Sequence, residues 1–193
     1  MVATAEKLYT VEEYFALEET AEDRHEFVHG KLIFMPGESK HANLIGLNCA
    51  FAFKKELKGK GFFVLAHDVR LIVELNAIFR YPDVMVAPNT DQADTHAITQ
   101  PVVIVEVFSK NSAPTDRGEK LLEYTQLPSL QHYLLISQTE PLVEMYSRRD
   151  NEWVFSFYKN VKDVIELAGL GVSIQVEDLY EEVVFDQGGR KNS

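Results

Sequence analysis

From Pro101 to Phe108 the chain reads Pro-Val-Val-Ile-Val-Glu-Val-Phe, an apolar run broken by one carboxylate, Glu106. A β-branched run of that length, without polar alternation, predicts a central strand covered on both faces. Upstream, Thr10-Val-Glu-Glu13 has the spacing of a capping box and predicts a short helix from Val11 to about Glu19. Glu26-Phe-Val and Lys31-Leu-Ile-Phe-Met flank the turn dipeptide His29-Gly30, which predicts a hairpin ending at Pro36-Gly37. Leu44, Leu47, Phe51 and Leu57 recur at helical spacing, so a helix is expected from about His41 to Lys58, stopped by Gly59 to Gly61.

Three strands follow in the pattern: Phe62 to Glu74 with a break near Asp68, Ile78 to Ala87, and Val102 to Phe108. Leu75-Asn-Ala is short enough for an antiparallel turn, whereas Pro88 to Gln100 reads as a polar loop. Pro114-Thr115 opens a helix to about Gln126, Pro128 stops it, and His132 to Ile136 forms a strand. A hairpin of Leu142 to Tyr146 and Trp153 to Tyr158, joined across Arg149-Asp-Asn151, completes the set, and the tail 187–193 is expected to be disordered. The order predicts an α/β fold in which one mixed sheet carries helices on its faces, within a single domain whose core spans about residues 24–180.

Composition narrows the class. At 193 residues with 46% hydrophobic content, the chain can bury a core without disulfide or metal staples. The single cysteine, Cys49, sits among apolar neighbours and cannot pair within the chain. No apolar stretch has the length of a membrane span, and the first residues lack the pattern of a signal peptide, so a cytoplasmic location is expected. A net charge of -11 opposes nucleic-acid binding in general, yet acid is concentrated in Glu12 to Glu26 and Glu177 to Asp186. Lys54, Lys55, Lys58, Lys60 and the pair Arg148-Arg149 leave room for a local basic face.

Candidate chemistry begins with Glu106, because a carboxylate buried in an apolar strand needs a cation or hydrogen bonds. Asp83 lies in Arg80-Tyr-Pro-Asp-Val-Met-Val-Ala87, where Pro82 favours an edge or bulge that re-aims the next side chain. If the two strands pair, Asp83 and Glu106 converge as hard oxygen ligands for Mg²⁺, with Mn²⁺ as a substitute. Asp83 has a plainer alternative as a turn hydrogen-bond acceptor. Asp116, Lys120 and Tyr124 are spaced i, i+4, i+8 along one helix face that can look at the carboxylates, and Lys120 can supply the cation. Its plainer alternative is a surface pair with Asp116.

A competing motif is His25-Glu-Phe-Val-His29, which matches the H-E-x-x-H pattern of zinc metalloproteases. That pattern works on a helix. In the strand predicted here the two imidazoles would stand roughly 13 Å apart, too far to share one ion.

Tyr81-Pro-Asp83, Val105-Glu-Val-Phe-Ser109 and Asp116-Arg-Gly-Glu-Lys120, taken in order, resemble the Uma-two family of restriction endonucleases within the PD-(D/E)XK nuclease superfamily. The resemblance extends to Arg24-His-Glu-Phe-Val-His-Gly30, Pro36, His41 and Tyr133-Leu-Leu-Ile136. It implies a restriction-endonuclease-like mixed sheet with an N-terminal helix and hairpin and an extra C-terminal hairpin. It also implies a Mg²⁺-dependent endonuclease acting on nucleic acid, DNA in the first instance, with Asp83 and Glu106 as metal ligands and Lys120 as the third catalytic residue. The superfamily places its lysine two residues after the glutamate, where this chain has Phe108, so the role passes to Lys120 on the following helix. Glu26, His41, Asp116 and Tyr124 are further candidates around the site. Family analogy and the extra hairpin together imply a homodimer. The alternative of a different class is a catalytically inert module that binds nucleic acid or protein, which Phe108 and the acidic balance favour.

Overall fold

The computed structural model describes residues 7–91 and 94–185. The chain runs α1 (Val11–Glu18), β1 (His25–Val28), β2 (Lys31–Phe34), α2 (Lys40–Glu56), β3 (Phe62–Ala66), β4 (Arg70–Glu74), β5 (Ile78–Arg80) and β6 (Val84–Pro88). It continues through β7 (Ala97–Ile98), β8 (Val103–Phe108), α3 (Ala113–Arg117), α4 (Glu119–Thr125) and β9 (His132–Ser137). β10 (Val143–Arg149), β11 (Glu152–Tyr158), β12 (Val164–Leu167), β13 (Val172–Gln175) and α5 (Val176–Leu179) follow.

Local chemistry sets several of these boundaries. Thr10 and Glu13 form both halves of the capping box at α1, and Ser39 caps α2 through the Ala42 N–H. His29 and Gly30 both take positive φ, 48° and 86°, the backbone of a tight turn whose twist matches the flanking strands β1 and β2. Gly118 divides the expected helix after β8 into α3 and α4. A Cβ there would stand 2.7 Å from the Pro114 carbonyl oxygen, so no larger residue fits the break.

The central sheet has the order β11-β10-β9-β8-β6-β3, with β8 and β9 parallel and the other neighbours antiparallel. Parallel pairing across α3 and α4 buries all six residues of β8 and all six of β9. Alternation along β8 then divides its side chains. Val103, Val105 and Val107 join the core under α2, with Ile45, Cys49 and Phe53, while Ile104 and Phe108 face Tyr124 and Leu130 on the other side. Glu106 shares the period of Ile104 and Phe108 and so turns toward α4.

A second sheet, β2-β1-β5-β4-β7, and the small hairpin β12-β13 accompany it. The expectation of one mixed sheet is therefore corrected to a central mixed sheet with a second one beside it. The expected strand Ile78 to Ala87 is likewise two strands in different sheets. Pro82 has no N–H to donate to a ladder, and Tyr81-Pro82-Asp83 carries the chain from β5 to β6. The other crossing lies at His67 and Asp68, whose φ values of 50° and 41° turn the chain from β3 into β4. The two crossings touch through a 3.1 Å hydrogen bond from the His67 N–H to the Asp83 carbonyl.

The stretch Pro88 to Gln100 is more ordered than its composition suggests. Asp91 accepts hydrogen bonds from the N–H groups of Thr99 and Gln100, and β7 pairs with β4. The pair β12-β13 and α5 carry no strong signal in the sequence and were not anticipated. The tail 187–193 lies outside the described residues. Among the described residues no helix is long and apolar enough to cross a membrane.

Candidate active site

Glu106 meets its cation. Lys120 Nζ lies 2.9 Å from Glu106 Oε1, and the Tyr124 hydroxyl donates to the same oxygen at 2.8 Å. One helical turn separates Lys120 from Tyr124, so α4 presents both to the β8 face that alternation selects. Lys120 also stands 3.3 Å from Glu26 Oε1 on β1 and 3.6 Å from Asp116 Oδ1 on α3. The Tyr133 hydroxyl donates to the Asp116 carbonyl at 3.0 Å, and the rings of Tyr124 and Tyr133 pack edge to face.

The network extends to a fully buried guanidinium. Arg80 Nη1 binds Glu26 Oε2 at 2.7 Å, and Arg80 makes a two-point contact with Glu123 at 2.8 and 2.6 Å. Such charge-assisted, bidentate pairs offset the cost of desolvating the ions they join. Burial penalises the Glu26 carboxylate, but Lys120 and Arg80 outweigh it and hold its pKa below the usual range. Burial likewise opposes a charged Lys120. Glu106, Glu26 and Asp116 together overcome that and raise its pKa, so the side chain is an ammonium and a hydrogen-bond donor.

Asp83 stands one position before Val84, which pairs with Val105, and so reaches the level of Glu106. Its Oδ2 accepts the Val107 N–H, joining the crossing after β5 to the central sheet. Burial pushes its pKa up to about 6, against the pull of that hydrogen bond and of Lys120. Glu106 rises to about 8, first through burial and then through repulsion by Asp83, Asp116 and Glu26, against the attraction of Lys120. On its other side Asp83 meets Glu38 and His67. The three offer ligand atoms within 4.8 Å of one another, and His67 Nδ1 lies 2.8 Å from Glu38 Oε1.

This arrangement suits a divalent cation. Five carboxylates, of Glu26, Asp83, Glu106, Asp116 and Glu123, surround two fixed cations, Lys120 and Arg80. The hydrogen bonds from Lys120 and Tyr124 both fall on Glu106 Oε1. Hard oxygen donors in excess of local positive charge are the donor set that Mg²⁺ and Mn²⁺ take.

Of the residues singled out in the sequence, Asp83, Glu106 and Lys120 come together, and Glu26, Asp116 and Tyr124 join them. His41 does not. Its ring packs 6.4 Å from that of Phe185, and the N-cap of α2 is Ser39. His25-Glu-Phe-Val28 is strand β1 and His29 is in the turn, so the zinc-protease geometry is absent; His25 Nδ1 instead contacts Glu18 at 3.0 Å. The Arg148-Arg149 pair also changes meaning, because Arg148 donates to the carbonyls of Thr125, Leu127 and Leu130. Glu38, His67, Arg80 and Glu123 were not anticipated. Arg80 carries a readable signal, a lone charge in an apolar strand, as Glu106 does.

Comparison with known proteins places the chain. An uncharacterized protein of Synechocystis sp. (strain ATCC 27184 / PCC 6803 / Kazusa), slr1290, is 31% identical over 176 residues, covering 90% of this chain and 92% of the relative. A second from the same organism, sll1609, is 32% identical over 160 residues, covering 81% and 90%. The fold matches the crystal structure of a putative nuclease belonging to DUF820 from Anabaena variabilis ATCC 29413. That match has a TM-score of 0.72 at 16% identity and covers 91% of this chain and 99% of that one. The family model described as "Putative restriction endonuclease" matches residues 11–177, and with the restriction-endonuclease-like fold already described, the chain belongs to that family, Uma2, and at that level to the nucleases.

Proposed function

We propose that this chain is a divalent-cation-dependent endonuclease that hydrolyses phosphodiester bonds of DNA, with Asp83, Glu106 and Lys120 at the reacting centre. The observation that carries the reading is the 2.9 Å contact of Lys120 with Glu106, at the level where Asp83 leads into β6. Asp83 and Glu106 would hold Mg²⁺ or Mn²⁺, which when bound lowers the pKa of water and neutralises charge on the phosphate. Lys120 stays protonated among its carboxylates, so it acts as a charged donor to the attacking water or to the developing phosphorane charge, and not as a base. Asp116 helps to fix the ammonium, Tyr124 fixes the Glu106 carboxyl, and Glu26, clamped by Arg80, closes the site from the second sheet. Lys40, Asn43 and the N-terminal end of α2 border the adjoining cleft, where backbone N–H groups favour a phosphate. Exposed Lys54 and Lys55 in the last turn of the same helix, with Lys58 in the turn just after it, give the DNA a local basic surface despite the net charge.

The test is cleavage of supercoiled plasmid by the purified chain with Mg²⁺. Glu106→Gln and Lys120→Met should each lower the rate by roughly 10² or more, the size of effect seen when a charge-stabilising donor is removed. Equal cutting by parent and variants would remove the assignment.

A second reading is supported by the hydrogen bonding of Glu106, which Lys120 and Tyr124 already satisfy in part, and by Phe108, whose ring stacks under Arg117 at 4.4 Å where the superfamily keeps its lysine. On that reading the chain binds nucleic acid without cutting it. Retention of DNA on a gel with no nicking under any divalent cation would favour it.

A further inference from the structure

The seam between the two sheets holds a group of which the nuclease reading uses only Asp83. Glu38 precedes α2, His67 lies at the crossing from β3 to β4, and Asp83 at the crossing from β5 to β6; their ligand atoms lie within 4.8 Å of one another. We propose that Glu38, His67 and Asp83 form a mixed carboxylate and imidazole cation site on the cleft side of Asp83, selective for Mn²⁺-class ions over Mg²⁺.

Geometry supports this first. Ligand atoms about 2.1 Å from a shared octahedral cation stand about 3 Å apart when adjacent and about 4 Å apart when opposite. His67 Nδ1 and Glu38 Oε1, 2.8 Å apart, already have the adjacent spacing. Glu38 is the most exposed of the three and is held only by His67 and a 3.4 Å contact from Asn43, so it is the ligand best able to adjust to an ion. His67 Nε2 is buried without a hydrogen-bond partner in the described structure, on the side where Gly46 of α2 would bring a Cβ within 3.7 Å, so Nδ1 is the nitrogen that faces the carboxylates.

Access and chemistry point the same way. Glu38 and His67 line an open cleft of about 490 Å³ together with Ser39, Lys40, Asn43 and Asp68, which leaves room for the waters that complete a coordination shell. Affinity of a nitrogen-containing site rises along the first transition row from Mn²⁺ toward the later ions, whereas Mg²⁺ takes oxygen donors alone, so one imidazole tilts the set away from Mg²⁺. A ligand set of two carboxylates and one imidazole therefore discriminates by ion type. Asp83 belongs to both groups, so in the nuclease reading an ion bound here would share that carboxylate with the one held by Glu106.

The experiment is Mn²⁺ and Mg²⁺ titration of the full chain by calorimetry without nucleic acid, with electron spin echo spectroscopy of the bound Mn²⁺. The parent should bind Mn²⁺ roughly tenfold or more tighter than Mg²⁺ and show coupling to a directly bonded nitrogen. His67→Gln should erase the nitrogen coupling and most of the Mn²⁺ preference, and Glu38→Gln should weaken Mn²⁺ by roughly tenfold while keeping the coupling. Circular dichroism of each metal-free variant verifies folding. Absence of nitrogen coupling in the parent, or its persistence in folded His67→Gln, overturns the proposal. The two readings fail separately: loss of plasmid cutting in Glu106→Gln without nitrogen coupling in the parent keeps the nuclease and removes this site. Coupling that depends on His67 in a chain that never cuts DNA does the reverse.

Discussion

The two sides of Asp83 are built on opposite principles. Inward, toward Glu106, the charges are cross-linked and all but the partly exposed Glu123 are buried: Lys120 serves three carboxylates, Arg80 serves two, and Tyr124 adds a hydroxyl. Outward, toward the cleft, Glu38 and His67 form one partly exposed pair, to which Asn43 adds a single long hydrogen bond of 3.4 Å on Glu38. Coulomb attraction is strong and unscreened on the first side and weak on the second. The inner network thus fixes positions, while the outer group keeps enough freedom to rearrange around a ligand. A catalytic centre needs both, because a preorganised charge is useful only beside a place the substrate can enter.

Breaking the inner side should give the largest effects. Arg80→Met removes the guanidinium from Glu26 and Glu123 at a position with no exposure, and a loss of about 3–5 kcal/mol is expected in urea unfolding. Lys120→Met leaves Glu106, Glu26 and Asp116 without their shared ammonium and should cost about 3 kcal/mol by the same measurement. Unlike Arg80→Met, it should also abolish plasmid cleavage at temperatures where the variant remains folded. Tyr124→Phe deletes a single hydroxyl on Glu106 and should cost about 0.5–1.5 kcal/mol at neutral pH, rising to about 1.5–3 kcal/mol above about pH 8, where Glu106 is ionised. On the outer side, Glu38→Gln should change metal-free stability by less than about 1 kcal/mol, and that difference should vanish in molar salt. If Glu38→Gln and Arg80→Met proved equally damaging, the contrast between the two sides would be wrong.

The family relationship and the site chemistry meet at one departure. Phe108 occupies the position where the superfamily keeps its lysine, and it is packed into the core with Ile104, Tyr124 and Leu135. The ammonium arrives instead from α4, at 2.9 Å from the same glutamate. A helix that crosses over between parallel β8 and β9 must lie against β8, so a lysine on its inner face can reach Glu106 without any change in the sheet.

Residues placed by a local period were legible from the chain itself. The period of two along Val103–Phe108 turned Glu106 away from Val105 and Val107, and the helical spacing of Asp116, Lys120 and Tyr124 aligned them, despite the break at Gly118. The capping box, the His29-Gly30 turn and the Glu152–Tyr158 hairpin strand were readable for the same reason, since each depends on residues a few positions apart. His67, Glu38 and Arg80 depend on something else. Their directions follow from where the chain passes from one sheet to the other, and neither period nor propensity records which sheet a strand will join. Local pattern thus determined which side chains share a face, while only the packing of two sheets against each other decided which faces meet, because pairing between distant strands is settled by burial of the whole core.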